Sequence, residues 1–479
     1  MNESSTMKSE GVPRQVLSTR HLIFFVIATA APLGFSVGTI PIGLGRGGIG
    51  LSGAFLVTAA LLAVFAVGYV VMAAHIRSSG GLYAFVGAGL GKPMGAAASY
   101  VAATAYGLAA TGSIGALAVF AGAAATDVLG IDLPWPVWAL TGVALMGIMG
   151  ALKVDLSAKL LGLVIFLEIA ILVLISTVIL VKGGAEGVSL TAFEPNHVFG
   201  GNIGVTFAVT IAAFAGFEAT VIYSREAKDR QRTVRRATLG AIAILGLLYA
   251  FVSWAVSVAY GNAKAVDAAN ADPVTLFFAA TNQYVGPWAV HLLEVLVVAS
   301  WFASVVAFHN AVARYLASMG RGRLLPTAIG VLHPRFGSPL RASLTHTLFT
   351  LVVVLIIIAL GADPFLDLFI LGSTPAGIAI PALELLASIA IVAFFLRSRR
   401  GHPFWQVILA PSVAALGLAA LLVAIITQLP LFTGRSGPIN VVLVAIVAAA
   451  LLGGLLRGLV LQRRQRKEST EGVQQTANT

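Results

Sequence analysis

A chain of 479 residues that is 58% hydrophobic and only 10% charged, with a mean hydropathy of +0.95, is not an ordinary soluble domain. The net charge of +11 and the pI of 10.1 suit nucleic acid in principle, but the basic residues fall in short clusters between apolar runs, which membrane topology explains and a nucleic-acid face does not. The absence of cysteine removes disulfides, Cys-ligated metals and thiol nucleophiles together.

Residues 1–19 form a polar leader that contains Glu3 and Glu10, and the first apolar run follows from about His21 to Ile42. The small residues at Ala28 to Ala31 lie inside a run that continues, so no cleaved signal peptide is expected. Further apolar runs begin near Leu51, Pro93, Val137, Leu156, Asn202, Ala237, Tyr284, Ala342, Leu366, Phe404 and Ile439. Each approaches the length of about 20 residues that a bilayer requires. The composition therefore predicts an all-α integral membrane protein of twelve spans, with the third and eighth unusually long and no room for a soluble catalytic domain. The domain plan is a tail at 1–19, a membrane region at 20–461 and a tail at 462–479.

Lysine and arginine set the orientation, because short loops rich in them stay in the cytoplasm. With the N-terminus inside, the cytoplasmic segments hold Lys8, Arg14 and Arg20; Arg77 and Lys92; Lys153 and Lys159; Arg225 to Arg236; Arg314 to Arg341; Arg397 to Arg400; and Arg457 to Lys467. Arg46, Lys182, Lys264 and Arg435 remain outside. Both termini are expected in the cytoplasm of a multi-pass protein of the cell (plasma or inner) membrane.

Two spans are interrupted at matching depth. The first meets Pro32, Gly34 and Gly38 about 12 residues in, and the sixth meets Ala215-Gly216 and then Glu218 after about 12 residues, or about 18 Å of helical rise. They enter from opposite sides. This is the pattern of a five-plus-five inverted repeat, here about 20–182 and 201–397, with two helices appended at about 404–461.

Three sequence blocks then carry a family resemblance: Gly80-Gly81-Leu82-Tyr83 with Leu90-Gly91; Phe214 to Glu218 running into Glu226-Ala227-Lys228-Asp229 and Arg235-Arg236-Ala237; and His309-Asn310 through Arg314, Arg321 and Leu325-Pro326 to Pro339. In this order they resemble the amino acid, polyamine and organocation (APC) permease superfamily along nearly the full length. The first helix departs from the tighter glycine triplet of many members, and Arg230 and Arg235 stand where prolines are usual. The resemblance implies a secondary transporter for amino acids or related amines; a substrate exchanger of the same fold, or an integral membrane enzyme or channel, is the alternative, and nothing in the sequence requires a cofactor or a resident metal.

An unwound helix leaves backbone groups that lipid tolerates only where they line a cavity or meet a ligand. The expected substrate site is therefore Gly34, Phe35, Ser36, Val37 and Gly38 with Phe214, Ala215, Gly216, Phe217 and Glu218. The half-helix from Ser36 to Gly38 offers N–H groups to a carboxylate, and carbonyls at Phe214 to Gly216 suit an ammonium group. The resemblance makes Phe214 or Phe217 a gate; plain helix packing explains either equally. Glu218 is read as a recognition or gating group, against a structural carboxyl tying the loop to a neighbouring helix.

Proton coupling is assigned to Glu168, Glu218 and His309. Glu168 lies 11 residues into the fifth span, about 17 Å along its axis and near the middle of a core about 30 Å thick. Sodium ligation, amine recognition and a permanently protonated structural acid are its alternatives. His309 and Asn310 divide between coupling and packing. No GxxxxGK[ST] phosphate loop occurs, which favours a gradient over ATP. The GxGxxG at Gly43 to Gly48 follows no strand and ends a membrane helix, so it is not a dinucleotide site. His291 and Glu294 share a helix face near the outer mouth without a second pair to complete a metal site.

Overall fold

The computed structural model describes residues 19–76, 81–152, 158–218, 230–334 and 337–477. Among them there is no strand. The polar tail to residue 18, Lys8, Arg14, Arg77, Gly80, Lys153 and the basic stretch Arg225 to Asp229 lie outside the described residues.

The first apolar run is three helical pieces: α1 (Thr19–Ala30), α2 (Pro32–Gly38) and α3 (Ile40–Gly47). There follow α4 (Leu51–His75), a short α5 (Leu82–Leu90), α6 (Lys92–Leu129), α7 (Trp135–Leu152) and α8 (Ala158–Val181). The second half contains α9 (Ile203–Ala212), α10 (Arg230–Tyr260), α11 (Pro287–Arg321), α12 (Leu340–Ala359) and α13 (Gly372–Arg397). Helices α14 (Ala410–Thr427) and α15 (Pro438–Ala477) close the chain. Residues 462–477, expected as a tail, continue α15.

Ten described helices are long and apolar enough to cross a membrane, and the bent run through α1 to α3 makes an eleventh. The expected sixth span is represented by α9, 10 residues long, and by the non-helical turns 213–218. The two long helices are where the apolar runs place them: α6 has 38 residues and α11 has 35. Gly91, at φ 96°, with Pro93 starts the first, and Gly286, at φ 119°, with Pro287 starts the second. In both, glycine supplies the left-handed turn and proline occupies the first helical turn, where its missing N–H costs nothing. These two helices pack along each other at the centre of the bundle.

The outer surface has the polarity of a lipid-facing protein. On α8, Phe166 is 65% exposed while Glu168, two residues on, is 2% exposed. The carboxylate faces the protein and the phenyl ring faces outward, the reverse of a helix in water. Charge is also divided between the ends of the bundle. Arg397 donates to the carbonyls of Ala88 and Gly89, and Arg457 to those of Arg323 and Leu324, at one end. The Arg435–Asp367 pair at 2.6 Å and the His291–Glu294 contact at 3.3 Å stand at the other.

Candidate functional site

Ala31 breaks the first run. It is a non-glycine residue in the left-handed region, at φ 44° and ψ 68°, a conformation that costs about 1–2 kcal/mol. Pro32 keeps the residue before it out of the right-handed helical region and is well suited to begin the next helix, which accounts for the break, although proline alone favours an extended and not a left-handed Ala31. A second bend of 50° falls at Thr39, before Pro41, whose ring removes a helical donor.

The broken backbone is largely satisfied by side chains. The Leu33 N–H donates to Glu168 Oε2 at 3.4 Å, and the Gly34 N–H to Ser300 Oγ at 3.1 Å. Ser300 Oγ donates in turn to Glu168 Oε2 at 2.8 Å. On the carbonyl side, Ser304 Oγ donates to Thr29 O at 3.2 Å and the Tyr249 hydroxyl to Ala30 O at 3.1 Å. The half-helix thus begins at Pro32 rather than at Ser36 to Gly38, and the N–H groups of its first turn are engaged by α8 and α11. Unpaired backbone groups are too costly in a water-poor interior to stay open.

Gly34 and Gly38 are one helical turn apart and form a flat platform under Trp301. A Cβ at Gly34 would lie 3.1 Å from Trp301 Cδ2, and one at Gly38 would lie 2.9 Å from Cζ2. The face that these two glycines leave open is occupied by the indole ring. Trp301 meets Phe369 edge-on, with ring centroids 4.9 Å apart.

The second break follows α9. Gly216 takes φ 102°, and a Cβ there would stand 2.5 Å from Thr29 Cγ2, so this turn and the end of α1 touch. Glu218 is 2% exposed; it accepts from the Tyr106 hydroxyl and from the Gly216 N–H at 3.0 Å, while Tyr69 donates to its backbone carbonyl at 2.5 Å. It ties the turn to α6 and α4. Phe217 meets Phe65 and Tyr69 edge-on, and the Phe214 ring lies against Gly246 of α10.

Between the two breaks lies a cavity of 110 Å³. Of the expected site residues, Phe35 and Ala215 line it; Gly34, Ser36, Val37, Gly38, Phe214, Gly216, Phe217 and Glu218 do not. The aromatic rings that border it are Phe35, Trp301, Phe308, Phe369 and Phe432, so the expected gate at Phe214 or Phe217 is not beside it. Trp301 Nε1, Thr39 Oγ1 and Ser373 Oγ belong to lining residues and are buried without hydrogen-bond partners. Sequence reading missed all three; only Trp301, a polar-tipped ring deep in an apolar run, gave a signal.

His309 is fully buried away from this cavity. Its Nδ1 lies 2.8 Å from His346 Nδ1, its Nε2 lies 2.8 Å from Ser343 Oγ, and His346 Nε2 lies 3.1 Å from the Gly107 carbonyl. A carbonyl only accepts, so His346 Nε2 donates; with both rings neutral, His309 Nδ1 then donates to His346 Nδ1 and Ser343 donates to His309 Nε2. His346 and the buried Glu384, whose Oε2 has no partner, were missed, although both are ionisable residues in apolar runs and the depth criterion applied to Glu168 would have found them.

Comparison with known sequences fits a broken-helix cavity in an all-helical bundle. A sequence model of the family described as amino acid permease matches residues 17–452. The chain belongs to the amino acid permease family, within the APC superfamily. This permease is 27% identical over 180 residues to an uncharacterised transporter of Mycobacterium tuberculosis, a match covering 37% of this chain and 39% of the relative. It is 28% identical over 147 residues to the L-lysine transport protein of Corynebacterium glutamicum, covering 31% and 28% of the two chains. It is 23% identical over 137 residues to cationic amino acid transporter 5 of Arabidopsis thaliana, covering 29% and 23%. The matches span less than two fifths of any of these relatives' lengths. The family and these relatives are permeases and transporters, not enzymes.

Proposed function

We propose that this permease is a secondary active transporter that moves amino acids or related amines across the cell membrane by alternating access. The observation that carries this reading is the cavity lined by Ala31 at one break and Ala215 at the other, where bound solute can be exposed to either side by rocking one half of the bundle against the other. The fold that fits it is twelve spans, the repeats at about 20–182 and 201–397, and two further helices at about 404–461. The gathering of arginines at one end of the bundle supports cytoplasmic termini there.

Proton-coupled symport is the favoured mode, with Glu168 as the coupling group. Its carboxyl connects the first turn of α2 to Ser300 of α11, so taking up a proton weakens an acceptor at the break itself. Glu218 and His309 are further coupling groups in this reading. Substrate exchange on the same fold is the alternative mode.

Purified protein in liposomes, given radiolabelled amino acids with and without an inward proton gradient, tests the function. Uphill, gradient-dependent accumulation is the expected outcome. Exchange without net accumulation would assign the protein to antiport, and passive leakage of solute without saturation would remove the transporter reading.

A further inference from the structure

We propose that the groove beside the basic half of α15 is a site for an anionic glycerophospholipid, whose phosphate meets the cations there and whose acyl chain lies along the apolar floor. Length places the groove at the right height. Helix α15 has 40 residues, or about 60 Å at helical rise, twice a hydrocarbon core about 30 Å thick. The stretch from Pro438 to Arg457 is enough to cross that core, so Gly458 and the residues after it stand at the level of the lipid headgroups or beyond. From Pro438 to Lys467 the sequence holds no aspartate or glutamate, while Arg457, Arg463, Arg464, Arg466 and Lys467 are all basic.

Packing explains why a groove opens there. Two glycines press α15 onto the start of α6: a Cβ at Gly454 would lie 2.7 Å from Ala97 Cα, and one at Gly458 would lie 2.7 Å from Pro93 Cα. The two backbones touch, as small residues allow between membrane helices. Helix α6 begins at Lys92, and α15 runs on past it with nothing of α6 left to pack against. The result is a groove of 410 Å³ between α5, the start of α6 and α15. Ala84, Gly87 and Leu461 form its apolar floor, and Lys92, Gln462 and Gln465 its polar rim. Among the described residues that line it there is one lysine and no aspartate or glutamate. Lys92 Nζ donates to Gln465 Oε1 at 3.5 Å, and a neutral amide leaves the ammonium charge uncompensated.

A basic rim over an apolar floor at the membrane surface fits an amphiphile of negative charge. The phosphate takes the cations, and the chain removes Ala84 and Leu461 from water. A free phosphate would leave that floor wet, and a zwitterionic headgroup brings its own ammonium to the basic rim. Topology accounts for the sign of the basic segment but not for the groove beside it.

Native mass spectrometry of delipidated protein, titrated with phosphatidylglycerol or phosphatidylcholine of identical acyl chains, tests the site, with melting temperatures measured alongside. One cation near a membrane surface is worth about five-fold in binding an anionic lipid, so two engaged cations should give phosphatidylglycerol an advantage of about 25-fold. That advantage should shrink at high salt. Lys92→Gln should lose about five-fold of it. Gln465→Glu keeps the shape and gives Lys92 a carboxylate in place of the amide, so it should lose a similar factor. Arg463→Gln removes one charge from the same segment, but from an exposed residue outside the lining of the groove, and should lose much less. Ala84→Phe fills the groove and should weaken both lipids. Equal binding of the two lipids would overturn the proposal, and a loss in Arg463→Gln as large as in Lys92→Gln would replace the site by diffuse attraction. Stabilisation by inorganic phosphate equal to that by phosphatidylglycerol would overturn the lipid as ligand. The comparison of the two lipids on the unaltered chain decides the matter even if a variant does not fold.

Discussion

Ser300 and Glu168 meet at 2.8 Å across two helices, and together they occupy the first turn of α2. Ser300 accepts from Gly34 and donates to Glu168, while Glu168 also accepts from Leu33. The break in the first span is thereby an assembled polar junction between three elements, buried in an otherwise apolar bundle.

Glu168→Gln keeps the shape of this junction and fixes it in a form that cannot lose a proton. Gradient-driven accumulation should be abolished while solute exchange remains measurable in liposomes. Glu168→Ala removes the acceptor of two buried donors and should destabilise by about 1–3 kcal/mol for each donor left unpaired, read as a lowered melting temperature. Retained acid-driven accumulation in the glutamine variant would take Glu168 out of the coupling mechanism.

At Gly216 the backbone angle and the neighbour both forbid a side chain. The left-handed φ alone should cost Ala about 1–2 kcal/mol, and the contact with Thr29 requires the two breaks to move apart. Gly216→Ala is expected to fold with a lower melting temperature and to lose most transport; Gly216→Leu should abolish uptake. Normal uptake by a folded leucine variant would separate this turn from the transport cycle.

The apolar helices, the two long ones at Lys92–Leu129 and Pro287–Arg321 and the positions of both breaks are legible in the sequence because each is a local property. Pro32 beside Ala31 marks the first break, and Gly216 the second, without reference to distant residues. The lining of the cavity is not local. Gly34 and Gly38 read as a site for close approach, and they are, but the approaching group is Trp301 from the other half of the chain. The hydrogen-bond partners of Leu33 and Gly34 likewise come from α8 and α11, and no spacing rule within the first span reveals them. Glu168 was found by depth alone; its partners were not.

The platform beneath Trp301 yields a graded expectation. Gly38→Ala brings a methyl group within 2.9 Å of the indole and within 3.4 Å of Phe120, whereas Gly34→Ala meets the indole at 3.1 Å. The Gly38 variant should therefore displace Trp301 further and lower solute affinity more. Tryptophan fluorescence and binding measured on both variants check the order; a larger effect at Gly34 would contradict it.

His309 and His346 form one neutral hydrogen-bonded unit that ends on the Gly107 carbonyl. Removing either ring leaves the other with a lost partner, so each single alanine variant should cost about 1–3 kcal/mol, and the double variant should cost less than the sum. The coupling reading of His309 further expects that replacing both by phenylalanine removes gradient-driven accumulation while exchange persists. Accumulation that survives in a stable double variant would assign the pair to packing.

The central claim is that solute is held between the two helix breaks. A cryo-EM map of the purified protein in lipid nanodiscs, saturated with an amino acid that it accumulates in liposomes, tests it most directly. The account predicts density between Ala31 and Ala215, beside the Phe35, Trp301 and Phe369 rings that border the cavity. An empty central cavity with density instead in the separate cavity lined by Asp127, His291 and Glu294 would contradict it.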